Sequence, residues 1–379
     1  MKIFLTGDNH LGLKYASHEK SAELAEARIS AFEGMVHSAN GEGCELFVIA
    51  GDLFDNTSGI AKREIRRLFA MLSEFHGTVI VLPGNHDYYD DSVEVWQNVK
   101  SLLPEFHNIL LLTEYRPYEM EVDDRKVILY PAFCTSKHSQ PGENNLGWIR
   151  ELNLTREDAV RIGIAHGAVE GETIDSEGSY FLMTREELED IPVDVWLIGH
   201  THVPFPGNLS DRELQNAGRI LNAGTHVQTD VSCNTEGLCF VIEIGEDKTV
   251  KAKKVKTGNL RFYRKNLSVN GRGLKEALQA ELAGIGPDSV VDLILSGALP
   301  EEEYEARDQI ITDALAGFLE GSYNDYQVSR RISAETIDRE FAETSFSHHF
   351  LTELLEEPKE AQLAYELLQT LKEEHHENR

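Results

Sequence analysis

The sequence predicts an α/β protein: a two-sheet sandwich flanked by helices, followed by a small α/β unit and C-terminal helices. Three observations predict it. Short apolar runs alternate with helical stretches through the first two hundred residues. Strand-like runs then follow one another with fewer long helices, which asks for a second, mixed sheet. The alternation restarts after Thr257-Gly258-Asn259. The domain ranges expected are 1–257, 258–333 and 334–379.

Each element has its own signal. Ile3-Phe4-Leu5 reads as the first strand. Ser21 to Ala39 carries apolar residues at helical spacing. Leu46 to Ala50 and the β-branched Thr78 to Leu82 are strands by length and content. Ala61 to Phe75 and Ser92 to Leu103 are helical. Lys126 to Tyr130, Arg161 to Ala165, Val195 to Ile198 and Gly237 to Ile244 are further strands. Thr135 to Gly147, rich in Ser, Pro, Gly and Asn, reads either as a lid or binding loop or as a disordered surface excursion. Beyond Gly258 come strand Leu260–Val269, helix Leu274–Leu282, strand Val290–Ser296, helix Glu301–Leu319 and strand Asp325–Ile332. Ala334 to Arg379 reads as helical with a break at Pro358.

The chain has 379 residues, 36 Lys and Arg, 65 Asp and Glu, and a formal net charge of -29. That balance repels phosphate and at first sight favours a small-molecule enzyme over a nucleic-acid binder. Cys44, Cys134, Cys233 and Cys239 are scattered with no C-x-x-C pair, so reduced thiols are expected rather than disulfides or a zinc-thiolate site. No apolar run approaches the ~20 residues of a membrane span. The expectation is a soluble, cytoplasmic protein with no membrane partner.

Five clusters carry chemistry: Asp8-Asn9-His10, Gly51-Asp52-Leu53-Phe54-Asp55, Gly84-Asn85-His86-Asp87, His166-Gly167 and Gly199-His200-Thr201-His202. Each follows a strand. Strand ends of an α/β sheet meet at one edge, so these loops can converge. Glycines let backbone approach an ion closely. Imidazole, carboxylate and amide oxygen together suit Mn²⁺, Fe²⁺ or Zn²⁺. There are too many donors for one ion, which points to two.

In their order, D-x-H, G-D-x-x-D, G-N-H-D, a lone H-G and then G-H-x-H, these residues resemble the calcineurin-like metallophosphoesterases. Within that superfamily, Gly7-Asp8-Asn9-His10-Leu11-Gly12 and Gly51-Asp52-Leu53-Phe54-Asp55 resemble the DNA double-strand-break repair nucleases of SbcD type. The unit after residue 258 is similar in topology to their capping domain. The resemblance implies a metallophosphoesterase core and a DNA exonuclease or endonuclease. It implies two divalent ions, Mn²⁺ first, with Fe²⁺ or Zn²⁺ as other candidates. Asp8, His10, Asp52 and His202 would hold one ion. Asp52, Asn85, His166 and His200 would hold the other. His86 would contact the scissile phosphate and protonate the leaving oxygen, with Asp87 orienting its ring; Asp55 is read as supporting the ligands.

The charge is unevenly spread. From Lys248 to Lys275 there are ten basic residues and no acids, with Phe262 and Tyr263 interleaved. Arg261, Arg264 and Lys265 are the candidate contacts to a phosphate backbone; lysines guarding an edge strand are the plainer reading. The acidic stretches Glu301–Glu320 and Ala334–Arg379 read as solvated helix faces. The family adds three expectations: a nucleoid-associated location, a homodimer through Ala61–Phe75 and Ser92–Leu103, and an ATPase partner of the structural-maintenance-of-chromosomes (SMC-like) type docked on the C-terminal helices. His226 reads as a loop histidine supporting the sheet edge. His348-His349 and His375-His376 read as solvated, Trp96, Trp148 and Trp196 as packing residues, and His138 as a loop residue for which substrate contact is the lesser reading. A small-phosphoester hydrolase with the same site is the alternative, and a degenerate binding scaffold is disfavoured by the intact donor set.

Overall fold

The computed structural model describes residues 1–152, 154, 158–171, 178–233, 235–270 and 273–377. It divides into two compact units, Met1–Arg261 and Phe262–Arg379.

Strand alternation divides the core of the first unit. In β1 (Lys2–Thr6), Ile3 and Leu5 face one apolar layer and Phe4 the other, because successive strand side chains point to opposite faces. The elements that follow are α1 (Ser21–Gly41), β2 (Leu46–Ala50), α2 (Lys62–Ser73), β3 (Thr78–Leu82), α3 (Glu94–Leu102), β4 (Ile109–Leu111), β5 (Tyr118–Val122), β6 (Arg125–Ala132), α4 (Gly147–Arg150), β7 (Val160–His166), α5 (Arg185–Asp190), β8 (Val195–Gly199), β9 (Gln215–Asn216), β10 (Ile220–Asn222), β11 (Leu238–Ile244) and β12 (Val250–Lys256). One sheet has the order β4-β3-β2-β1-β11-β12-β9 and the other β10-β8-β7-β6-β5. Their facing sides share one core, with Leu5, Val48, Ile80, Leu129, Ile164 and Leu197 among its members. Helices α1, α2 and α3 cover the outer face of the first sheet through Phe32, Phe69 and Trp96. Each such side chain contributes about 1.5–3 kcal/mol by leaving water. Ile149 of α4 and Leu188 of α5 cover the second sheet. Mixed α/β architecture with two sheets is therefore what the first unit adopts.

Register places the site. In the parallel set β1 to β4, Thr6 lies opposite Ile49 and Ala50 opposite Leu82. In the second sheet His166 lies opposite Gly199. All five chemistry-bearing clusters therefore leave strands at carboxyl ends.

The second unit contains most of β13 (Arg261–Ser268), then α6 (Leu274–Glu281), β14 (Ser289–Leu299), α7 (Glu301–Leu315), β15 (Glu320–Arg330), α8 (Ala334–Glu340), α9 (Phe346–Leu354) and α10 (Pro358–Glu377). Its sheet runs β13-β14-β15, with a bulge in the parallel β14–β15 pair between Ile294 and Ser296. Leu274, Leu278, Leu293 and Ile311 lie in its core. The C-terminal stretch is three helices rather than two. Ser345 ends the expected run and starts α9 by accepting from the His348 N–H at 3.1 Å. Pro358 opens α10, where its missing N–H has no helical partner to lose. His375 and His376 lie on the part of α10 whose side chains fall outside the described residues. Among the described residues no helix is long and apolar enough to cross a membrane.

Candidate metal centre

The site is built by backbone bonds between loops before any side chain is considered. The Asp8 N–H donates to Gly51 O at 3.1 Å and the His10 N–H to Asp52 O at 2.9 Å. These bonds lay the loop after β1 along the loop after β2. The second sheet joins through a side chain: His166 Nδ1 lies 2.9 Å from Ala50 O. A carbonyl only accepts, so Nδ1 carries the proton and Nε2 presents a lone pair. Gly51, at φ 92°, lies so close that a Cβ there would overlap the His166 ring. At Gly84 a Cβ would overlap the Asp52 carboxylate.

Two donor groups result. In the first, His10 Nε2 and His202 Nε2 are 3.0 Å apart. Asp52 Oδ2 is 3.7 Å from His10 Nε2, and Asp8 Oδ1 is 3.9 Å from His202 Nε2. In the second, Asn85 Oδ1 lies 2.9 Å from His166 Nε2 and 3.1 Å from His200 Nδ1, with Asp52 Oδ2 3.4 Å from His166 Nε2. Asp52 belongs to both. Its Oδ1 accepts from the His86 N–H at 2.8 Å. Asp8 accepts from the His200 N–H, so one carboxylate ties the loop after β1 to the loop after β8.

These distances fit a cation. Around an ion with bonds of about 2.1 Å in octahedral geometry, adjacent donors sit about 3 Å apart. Ring nitrogens and an amide oxygen face one another at that separation. The groups Asp8/His10/His202, Asp8/Asp52/His166 and His10/Asp55/His86 each offer donor atoms within 4.8 Å of one another. The backbone reinforces the point. Asp8, His10, Asp52, His200 and His202 all have positive φ, from 43° to 110°. Left-handed backbone at non-glycine residues concentrates where function requires it.

The electrostatics show the cost of the cluster. Asp8, Asp52 and Asp87 are all buried. Burial, with the neighbouring Asp52 charge, pushes the Asp8 carboxyl up to about 7. Burial and Asp52 likewise raise Asp87 to about 7. Burial alone would raise Asp52 too, but His166 beside it holds it well below the usual carboxylate range. His166 is raised in turn to about 9, since Asp52 outweighs the burial that would lower it. Burial and the facing His10 push His202 down to about 3. Crowded acids and imidazoles of this kind are the environment a divalent cation relieves, and a cation at His166 Nε2 would take the place of the proton that Asp52 otherwise holds there.

Not every sequence expectation matches. Asp87 does not orient the His86 ring. Its oxygens accept from the Phe54 N–H at 3.0 Å and the Gly84 N–H at 2.6 Å, bracing the turn instead. The His86 ring is held by Asp55, whose carbonyl lies 3.1 Å from Nδ1. The Asp55 carboxylate approaches His10 Nδ1 at 3.5 Å.

The basic strip meets carboxylates of the same chain. Arg261 pairs with Glu236 at 3.4 Å, Arg264 with Asp292 at 2.8 Å and Lys265 with Glu281 at 3.2 Å. Lys248, Lys253 and Lys256 meet Asp194, Glu42 and Glu236. Carboxylates outside the strip answer six of its ten bases, so much of its charge is met within the chain. Arg272 lies outside the described residues.

Sequence reasoning missed two residues. Tyr180 stands 5.2 Å, ring to ring, from both His200 and His138. It links the loop containing His138 to the second donor group. Arg28 of α1 is buried directly behind the Asp8–Asn9 backbone, with Nε 2.6 Å from Asn9 O. The signal was a charged residue on the apolar stripe between Leu24 and Phe32.

Comparison with known proteins adds the following. The family model for calcineurin-like phosphoesterases matches residues 1–204. An uncharacterized metallophosphoesterase of Bacillus subtilis (strain 168), YhaO, is 25% identical over 224 residues. That match covers 55% of this chain and 51% of YhaO, about half its length. Among solved structures, TT1561 of Thermus thermophilus has a TM-score of 0.40 at 13% identity, covering 66% of this chain and 97% of that one. A dimetal phosphatase from Danio rerio has a TM-score of 0.35 at 10% identity, covering 68% and 99%.

Proposed function

The chain belongs to the calcineurin-like phosphoesterase family, and from that premise we propose that it is a two-metal phosphodiesterase that cuts DNA in double-strand-break processing. Hydrolysis of phosphoester bonds follows from the family; DNA as substrate is the further step. The observation that carries the reading is the pair of donor groups sharing Asp52, with the His86 ring 4.7 Å from that of His10.

Asp8, His10, Asp52 and His202 would hold one divalent ion, and Asp52, Asn85, His166 and His200 the other. When bound, such ions lower the pKa of a shared water and neutralise phosphate oxygens. The remaining work falls to the chain. The Ala50 carbonyl fixes the His166 tautomer and aims its lone pair. The Asp55 carbonyl accepts from His86 Nδ1–H, and in the doubly protonated ring Nε2–H would meet the phosphate and pass its proton to the departing 3′ oxygen, leaving the neutral imidazole. Mn²⁺ is the ion we assign, with Fe²⁺ or Zn²⁺ able to use the same donors.

DNA is supported by the motifs at Gly7–Gly12 and Gly51–Asp55 and by the α/β unit that follows the hydrolytic one. The balanced basic strip makes strong unaided DNA binding unexpected, so DNA-binding surface has to come from a partner. Exposed Leu363, Leu367 and Leu371 form an i, i+4, i+8 stripe on α10, and Phe346 and Phe350 are exposed on α9. We assign that apolar surface to an SMC-like ATPase, and α2 and α3 to a homodimer contact.

Purified chain with Mn²⁺ should be assayed on linear duplex, single-stranded and hairpin DNA, beside a cyclic dinucleotide and a simple monoester. Loss of DNA substrate supports the reading. Turnover of the small esters alone would replace it with the second reading, a small-phosphoester hydrolase. The observation favouring that alternative is the carboxylate pairing of Arg261, Arg264 and Lys265.

A further inference from the structure

The loop bearing Asp8 and His10 is gripped by a buried polar ring that takes no part in the chemistry above. Arg28, 1% exposed, lies on the face of α1 that packs against the sheet. Its guanidinium donates from Nε to Asn9 O at 2.6 Å, and from Nη2 to Asp8 O and Thr225 Oγ1, each at 3.3 Å. Nη1 reaches the carbonyls of Val227 at 3.3 Å and Gln228 at 3.4 Å, and the Tyr15 hydroxyl at 3.4 Å. Thr225 Oγ1 itself donates to Asp8 O at 2.8 Å. Every partner is a carbonyl or a hydroxyl, so dipoles rather than a carboxylate hold this buried charge.

The ring closes through His226, which is fully buried. His226 Nε2 lies 3.1 Å from Arg28 O. That carbonyl can only accept, so Nε2 carries the proton and Nδ1 is the acceptor. The Asn9 side chain, 3.2 Å from Nδ1, must then present its amide hydrogens, and the same nitrogen reaches Thr6 Oγ1 at 3.0 Å. Arg28, Asn9 and His226 thus form a closed circuit. It grips Asn9, while its neighbours Asp8 and His10 sit at φ 50° and 43°. Such backbone persists only where its surroundings over-determine it.

We propose that Arg28, acting through Asn9 and His226, is the positioning residue for the cation held by Asp8, His10 and His202. The proposal rests on reading the two donor groups as cation sites. It requires arginine: a planar fork spans several carbonyls at once, whereas a lysine ammonium is a single point. None of the hydrogen bonds of these three side chains goes to Asn85, His166 or His200.

The test is Mn²⁺ binding to the full-length protein, followed by electron paramagnetic resonance without substrate. The parent should bind two ions per chain and show the spectrum of a spin-coupled pair. Arg28→Lys should weaken the first ion by about ten- to a hundredfold, the range for removing a partner behind a metal ligand. The second ion should stay within about threefold, and the coupled spectrum should give way to that of isolated Mn²⁺. His226→Ala should act in the same direction, and His226→Gln, which keeps a donor and an acceptor, should recover most of the loss. Unchanged first-ion affinity in folded Arg28→Lys overturns the proposal, as does equal weakening of both ions. If Arg28→Lys does not fold, an unchanged pair in His226→Ala overturns it. A parent chain that binds no pair removes the cation reading itself, before any variant is made. Because no substrate is present, failure of the DNA reading leaves this result untouched.

Discussion

The acid–histidine edge and the basic strip from Lys248 to Lys275 look equally purposeful as strings of residues, yet the fold treats them in opposite ways. At the edge, donors from five loops face one another: His10 and His202 meet nitrogen to nitrogen at 3.0 Å, and Asn85 meets His166 and His200. Within the strip, Arg261, Arg264 and Lys265 each meet a carboxylate of the same chain. One region gathers groups whose lone pairs call for a cation. The other gathers charges already balanced. A run of like residues announces a site only when strand ends force the run to converge.

Substitutions at the two regions should therefore differ sharply. The largest effect is expected from Asp52→Asn, which weakens both donor groups at once. Metal ions contribute several kcal/mol to phosphoryl-oxygen stabilisation, so hydrolysis of bis-p-nitrophenyl phosphate should fall by about a thousandfold or more. A tenfold loss or less would mean that Asp52 is not shared. Gly51→Ala should come next, because its Cβ displaces the His166 ring. We expect the loss of at least one bound ion, read by metal analysis of the dialysed protein. His86→Ala should keep both ions and lose about 10²–10⁴ in kcat, the span of a general acid. Parent-level turnover would reassign the leaving-group proton. Removing metal with EDTA should lower stability by about 2.7 kcal/mol for each ion held at a hundred times its Kd, about 5.4 kcal/mol for the pair, since the ions bind the folded state alone. An unchanged melting curve would argue against buried donors of this kind. The smallest effect belongs to the strip. Arg264→Gln breaks an exposed pair, with Arg264 54% exposed, and should cost no more than about 1 kcal/mol. DNA cleavage should be unaltered within about twofold at physiological salt. A large loss would make the strip a binding surface after all.

The same contrast explains what the sequence alone shows. The strands Leu46–Ala50 and Thr78–Leu82 are legible because they are short, apolar and β-branched, and they form as β2 and β3. The donor clusters are legible because each sits just past such a strand beside a glycine. Short strands such as Gln215–Asn216 and Ile220–Asn222 carry too few residues to show a period. Asp87 is misread because adjacency to His86 suggests contact, whereas its carboxylate turns to the amides of Phe54 and Gly84. The partners of the basic strip are hidden for a different reason: Glu42, Glu236 and Asp292 lie far from it along the chain. Arg28 escapes because a charge in a helical pattern reads as solvated, although its place midway between Leu24 and Phe32 puts it on the apolar stripe.

The central claim, a two-cation phosphodiesterase site bridged by Asp52, is tested most directly by anomalous diffraction from crystals of the chain grown with Mn²⁺. Two peaks are expected, one among Asp8, His10 and His202 and one among Asn85, His166 and His200, with the Asp52 carboxylate between them. A single peak, or two peaks with Asp52 bound to neither, would contradict it.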